Sequence, residues 1–299
     1  TVSDGYVFLP RAEGGRFLDV SLQGDAWDEG DAAAEPAHPR ELRFGFTVAV
    51  PDGEFDYEVF AADRVYAGQT LTDLDGPALR MALENLPCCT TDRGGENDGD
   101  PLNLVLVGSS EDVLSVLTRA GWTFTHRLGW HSIGRVINAA LSGAAYSVAP
   151  VSNLFVFGRG QDLALQRARR TIAQRNHLRL WLAPFRFEGR EVWIGQVSRD
   201  IGVKLTTKSP TFTTHVIDPE VDSTREYLLH SLLAQRLVER FGFVRGSAVA
   251  TPQEPRQNLT EDPYFSDGLR LVLVLSREPV PVDQIRNLRW ERSAAPIAE

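Results

Sequence analysis

Lysine is almost missing from this sequence. Of its 31 basic residues only Lys204 and Lys208 are lysines, and the rest are arginines. Genomic base composition is the plain reading. It also means that an anion would be held here by guanidinium forks and not by ammonium points. Cysteine is as scarce, with Cys88 and Cys89 side by side and no others. Two cysteines cannot make a disulfide framework, and neighbours rarely bridge because their side chains point apart. Metal ligation by both neighbours would be cramped, so they read as small apolar residues or free thiols. No apolar run approaches the roughly 18 residues of a membrane-crossing helix. The longest, such as LRLVLVL at 269–275, has the length of a strand. Net positive charge is lacking as well: at −9 the chain offers no general basic surface for nucleic acid. No G-x-S-x-G, H-E-x-x-H or P-loop occurs, and GRGQD at 158–162 is a glycine turn, not a dinucleotide fingerprint. Position 1 is Thr, so removal of an upstream segment is expected, a signal peptide being one candidate.

What is present suits a soluble globular chain. Its 299 residues suffice for one large domain or two ordinary ones, and 42% hydrophobic with 24% charged residues is a globular balance. Residues 1–86 read as a β-rich region, with candidate strands at 5–10, 16–22, 42–50, 55–62 and 64–71, an acidic loop at 25–39, and a short helix over 77–86 capped by Asp75 with Pro77 in its first turn. TTDRGGENDGDP (90–101) reads as a linker, which puts a domain at 87–299. Beyond it, NLVLVGSSEDVLSVLTRAGW reads as strand, turn and helix, with Ser109 or Ser110 as cap and Gly121 as stop. A helix is expected over 131–142, a strand over 151–158 and some helical character over 161–174. DPEVDSTREYLLHSLLAQRLVERFG reads as the clearest helix, with Asp218 as N-cap, Pro219 at its first position and Gly242 as its end. LRLVLVLS (269–276) reads as a last buried strand. The fold class expected is α+β: a mixed, largely antiparallel sheet with flanking helices, preceded by a β-rich N-terminal region.

The chemistry concentrates in one hairpin, RNHLRLWLAPFRFEGREVWIGQVSRDIG (175–202). A two-residue turn at Glu188-Gly189 pairs Phe187 with Arg190. Counting back from there sets His177 opposite Asp200, Arg179 opposite Ser198 and Trp181 opposite Gln196, all on one face. The other face, with Leu178, Leu180, Leu182, Trp193, Val197 and Arg199, is mostly apolar and suits the core. Pro184 inside the first strand signals a bulge, and one extra residue there would exchange the two faces. A histidine beside an aspartate is what a general base with its orienting carboxylate needs, and it equally suits a metal.

THVIDPEVD (214–222) adds His215 and Asp218. Capping alone explains Asp218, and His215 reads equally as an ordinary strand or loop residue. Together, His177, Asp200, His215 and Asp218 would make a two-histidine, two-carboxylate site for a divalent metal or for acid–base work. Residues 159–190 carry eight arginines, including Arg175 and Arg179, against Asp162 and Glu188. That excess would capture phosphate, carboxylate or an anionic lipid headgroup, or else be a solvated face paired with acids elsewhere. Asp262 and Asp267, in NLTEDPYFSDG (258–268), would be ordinary loop acids or approach such a site.

DGDPLNLVLVG (98–108), APVSNLFVFGRGQDLALQRAR, QRNHLRLWLAPFRFEGREVWIGQVSRDIG, THVIDPEVDSTREYL and NLTEDPYFSDGLR are specific in combination, and LPCCTTD (86–92) belongs with them. Over most of 86–275 the chain resembles the LssY C-terminal domain family. The resemblance implies the bacterial cell envelope, periplasmic or membrane-associated. Members are described as secretion-associated, and related domains occur fused to membrane segments like those of DedA-type and phosphatidic-acid-phosphatase-type proteins. It brings no established catalytic residues.

The function expected is therefore an envelope-associated hydrolase or transferase acting on a phosphate- or lipid-containing anionic substrate. His177, Asp200, His215 and Asp218 would form its catalytic or metal-holding set, and Arg175, Arg179 and Ser198 would hold the substrate. The rival expectation is a non-catalytic accessory module that docks an acidic partner.

Overall fold

Two of the apolar runs without alternation lie side by side. LVLV of β6 (Leu104–Val107) pairs in parallel with β17 (Ser266–Leu275), and both are buried along nearly their whole length. A strand covered on both faces gains from apolar side chains at every position, so the period-2 signal disappears. The computed structural model describes residues 16–24, 40–48, 62–124, 154–168, 175–205 and 213–291. It falls into two compact units, Thr1–Val59 and Phe60–Glu299. In the first, β1 (Arg16–Gly24) and β2 (Arg40–Val48) pair antiparallel. The strand expected at 5–10, the loop at 25–39, most of the 55–62 strand and the helix at 131–142 lie outside the described residues.

The second unit opens with α1 (Ala62–Val65), β3 (Thr72–Leu74) and α2 (Gly76–Glu84). Next come β4 (Cys89–Thr91), β5 (Asp98–Pro101), β6, α3 (Ser110–Arg119) and β7 (Thr123–Phe124). The middle holds β8 (Phe155–Val156), β9 (Arg159–Gly160), β10 (Leu163–Ala168), β11 (Arg175–Phe187), β12 (Arg190–Leu205) and β13 (Thr213–Ile217). Last are α4 (Val221–Ala234), β14 (Val238–Ala250), β15 (Arg256–Gln257), β16 (Pro263–Tyr264), β17 and β18 (Arg286–Asn287). One ten-stranded sheet runs β18-β14-β17-β6-β12-β11-β10-β7, with β13 also on β12 and β3 on β11. Three of its pairs are parallel and the others antiparallel, so the sheet is mixed and largely antiparallel, with helices alongside. Leu79 and Leu83 of α2 pack with Trp181, Ile194, Val105 and Val272 in one cluster. Each such buried apolar side chain contributes about 1.5–3 kcal/mol. Among the described residues no helix is long and apolar enough to cross a membrane.

The caps follow the local sequence. Asp75 accepts from the Ala78 amide at 2.9 Å to start α2, and Ser109 and Asp112 exchange bonds in a capping box at α3. Glu191 accepts from the starts of two helices, Ala62 N at 2.7 Å and Ser110 N at 3.1 Å. Burial pushes its carboxyl above the ordinary range even so.

Elsewhere tertiary contacts override the local reading. The strand expected over 64–71 is α1 and a turn. The linker expected over 90–101 is instead β4 and β5, paired within the second unit. The segment 161–174 contains a strand: Leu163 and Leu165, at alternate positions, face Leu180 and Leu178. α4 begins two residues after the expected Pro219, because the Asp218 carboxylate is spent on Arg199 and on Glu220 N, the latter at 3.0 Å. It also ends early, at Ala234, with Arg236 just beyond it in the left-handed region. Gly242 then lies inside β14, where Leu288 packs so close that an added Cβ would meet its Cβ at 2.7 Å.

Two buried arginines fasten the unit. Arg225 on α4 donates to Asp267 at 2.8 and 3.0 Å and to the Leu269 carbonyl at 2.7 Å, and it also bonds Glu226. Among the described residues Arg270 donates to main-chain carbonyls alone, those of Leu102, Leu83, Leu86, Pro87 and Gly246. Burial without a carboxylate partner brings its pKa down to about 10.

The β11–β12 hairpin turns at Glu188 (φ 50°) and Gly189 (φ 75°), with Phe187 opposite Arg190 as the sequence suggests. Both central residues are in the left-handed region, as a tight hairpin turn of this hand requires. The ladder then breaks between Leu182 and Arg186, which face Trp193 and Glu191. Two extra residues of β11 are accommodated there, around Pro184. The offset is even, so the faces are kept, but partners move by two. His177 is opposite Ser198, Arg179 opposite Gln196 and Trp181 opposite Ile194. Beside the bulge, side chains replace a neighbouring strand. Asp162 accepts from Leu182 N at 2.7 Å, and Tyr66 and Arg159 both donate to Leu182 O at 2.6 Å.

Candidate functional site

The even offset leaves one polar face across β10, β11 and β12. It carries Gln166, Arg175, His177, Arg179, Gln196, Ser198 and Asp200, all buried. His177 and Asp200 are diagonal neighbours, yet Nε2 stands 2.6 Å from Oδ2, at residue exposures of 3% and 4%. Arg175 donates to Gln166 Oε1 at 2.8 Å. Arg179 donates to Gln196 Oε1 at 2.9 Å and lies 3.9 Å from Asp100 Oδ2. Two buried donors of this group, Arg179 Nε and Gln196 Nε2, have no hydrogen-bond acceptor among the described residues.

Asp100 enters from β5, and its place is set by the loop at 258–262. Asn258 Nδ2 donates to Asp100 Oδ1 at 2.9 Å, while Asn258 Oδ1 accepts from Thr260 N and Asp262 N, each at 3.0 Å. Burial pushes the Asp100 carboxyl above its ordinary value. The charges of Asp200 and Asp262 push the same way, against Arg179 and Asn258. Burial also lowers both guanidiniums, with Asp200 pulling each back up and Asp100 helping at Arg179. Asn103 fixes the neighbouring backbone. Its amide donates to Val197 O and accepts from Val197 N, each at 3.0 Å, so it stands in for one more residue of β6.

The sequence-expected set is thus brought together in part. His177, Asp200, Arg175, Arg179 and Ser198 share the face. Asp218 does not: it pairs with Arg199, which alternation places on the opposite face of β12. His215 is in β13, in register with Val203, and its side chain lies outside the described residues. Among the described residues, His177 and Asp200 are the members of the expected four that meet on this face, and the two guanidiniums beside them favour an anion over a cation. Among the described residues the arginine-rich segment forms no single patch. Arg159 pairs with Asp162, Arg167 bonds Ser231 and Arg190 pairs with Glu239. Asp267 is taken by Arg225, and Asp262 lies by Asp100. Asp100, Asn258 and Gln166 were not singled out by sequence, although DGDP and NLTED both stand among the motif stretches.

Cys88 and Cys89 are joined as a disulfide, which corrects the free-thiol expectation. Strand alternation would point the two sulfurs apart. Here Cys88 precedes the first residue of β4, and the β4–β5 register is irregular straight after Cys89.

The fold is therefore an α+β domain whose mixed sheet buries a histidine–aspartate pair between two arginines. A family model described as LssY C-terminus matches residues 83–269. The chain belongs to that family. No curated protein matches this chain. No solved structure matches it.

Proposed function

We propose that the chain is a hydrolase or transferase of the cell envelope that acts on a phosphate-bearing or otherwise anionic substrate, lipids included. The observation that carries this is the 2.6 Å contact of His177 with Asp200 beside the acceptor-less donors of Arg179 and Gln196. Asp200 would hold the imidazole in orientation, and His177 would move the proton. Arg179 and Gln196 would give the substrate oxyanion the acceptor place that the protein does not fill, with Arg175 adding charge and Ser198 a hydroxyl. Low exposure strengthens every charge interaction in the group. The envelope setting rests on family resemblance.

The test is turnover of a panel of phosphomonoesters, phosphodiesters and phospholipids by the parent, Asp200→Asn and Arg179→Met. Loss of a general base or its orienter reduces turnover by roughly 10²–10⁴-fold. Arg179→Met should act chiefly on binding of the anion. A parent no faster than Asp200→Asn on every ester would refute the catalytic reading.

A further inference from the structure

We propose that Cys88, Cys89 and Asp98 form a redox-gated site for one thiophilic metal ion, separate from the polar face of β10, β11 and β12. A ligand atom from each of the three lies within 4.8 Å of the other two. The pairing of β4 with β5 brings Asp98 back to the cysteines, with Cys88 Sγ 3.8 Å from Asp98 Oδ2. Two thiolates and a carboxylate are a soft, anionic donor set of the kind that selects zinc or cadmium over calcium or magnesium.

The surroundings suit both arrival and charge. Asp98 is exposed and Cys88 half-buried, which opens the site to solvent, while Cys89 is buried. Arg256 donates at 2.7 Å to Asp98 Oδ2, the oxygen that stands 3.8 Å from Cys88 Sγ, and so sets a cation beside the carboxylate. The Tyr264 hydroxyl, 3.9 Å from Cys89 Sγ, is placed to donate to that sulfur.

The disulfide is the closed form of this site. An external dithiol opens it: one of its sulfurs attacks the half-exposed Cys88 Sγ, and Cys89 leaves as thiolate. The second external sulfur then releases Cys88, so the dithiol ends as a disulfide and the protein as two thiols. A divalent ion then replaces the two thiol protons. The site binds only when reduced, so metal and oxidant compete for the same sulfurs.

The experiment is titration of the full chain with Cd²⁺ after reduction by a phosphine, which brings no thiols of its own. The readout is thiolate-to-cadmium charge-transfer absorbance. The reduced parent should take up one Cd²⁺ with that band and lose it on reoxidation. The oxidised parent is the control that needs no substitution. Cys88→Ser should show no band, and Asp98→Asn should bind roughly ten- to a hundredfold more weakly, the range seen even for groups that only orient a ligand. A reduced parent that binds no more Cd²⁺ than Cys88→Ser overturns the proposal. So does an Asp98→Asn variant of unchanged affinity, or a disulfide that native-state phosphine does not open. None of these outcomes bears on the polar face.

Discussion

His177 and Asp200 touch without being opposite each other. The residue across from His177 is Ser198, and the aspartate reaches back along the diagonal to bring Oδ2 within 2.6 Å of Nε2. Such a contact couples two side chains and leaves the ladder between them intact. A double-mutant cycle with His177→Ala and Asp200→Ala, followed by urea unfolding, should give an interaction of about 0.5–3 kcal/mol. Strictly additive single costs would mean that the pair is not in contact in solution.

Asp100 offers a test by pH. Burial raises its folded pKa, so the folded state holds its proton more tightly than the unfolded state does. The sign follows. Ionising Asp100 costs folding stability above its folded pKa, and that cost vanishes as the pH falls below the unfolded value. Asp100→Asn imitates the protonated form. Its stability relative to the parent should therefore rise as pH increases from the ordinary carboxylate range toward neutrality. A pH-independent difference would show that Asp100 is solvated.

Arg225 holds α4 to β17 through charge. Burial works against its cation, but Asp267, Asp222 and Glu226 outweigh that and raise its pKa. Burial likewise opposes the Asp267 anion, yet Arg225 wins and lowers its pKa. Arg225→Met leaves the half-buried Asp267 without its cation and should cost about 3–5 kcal/mol at neutral pH. The Asp267 contribution exists above its unfolded pKa and is lost as pH falls through the folded one, so the cost should shrink in acid. Equal costs at neutral and acidic pH would contradict the assignment.

Asn103 makes a narrower prediction. Both ends of its amide are used on Val197. Asn103→Ala should cost about 1–3 kcal/mol, because it strands a buried peptide group. Amide exchange at Val197 should accelerate, while exchange at Ile194, paired with Val105, should not.

The hairpin was legible because each of its signals is local: alternation, a Glu-Gly turn and a proline that marks a bulge. How many residues the bulge holds is not local. It depends on Tyr66, Arg159 and Asp162, which take up the broken ladder around Leu182, and so the partner assignments slipped by two. The start of α4 was misplaced for a similar reason. Asp218 has the right residue type for a cap, but Arg199 claims it from another strand. Asp100 reaches the site only through strand pairing and the Asn258 loop, and no spacing in the chain announces that meeting. The cysteine pair departs from the expectation that neighbouring side chains point apart, because Cys88 stands just outside β4 and the register is irregular after Cys89.

The bulge at Pro184 carries a rule about length. Everything from His177 to Leu182 keeps its face because the excess over β12 is two residues. Remove one residue between 182 and 186, and His177 and Arg179 would turn to the leucine side while Leu178 and Leu180 would come up beside Asp200. Remove two, and the bulge is lost while the faces and the partners survive, with His177 still opposite Ser198. Viable length variants of this segment should therefore differ by even numbers. Odd ones should be found only where a second compensating change lies between the turn and His177.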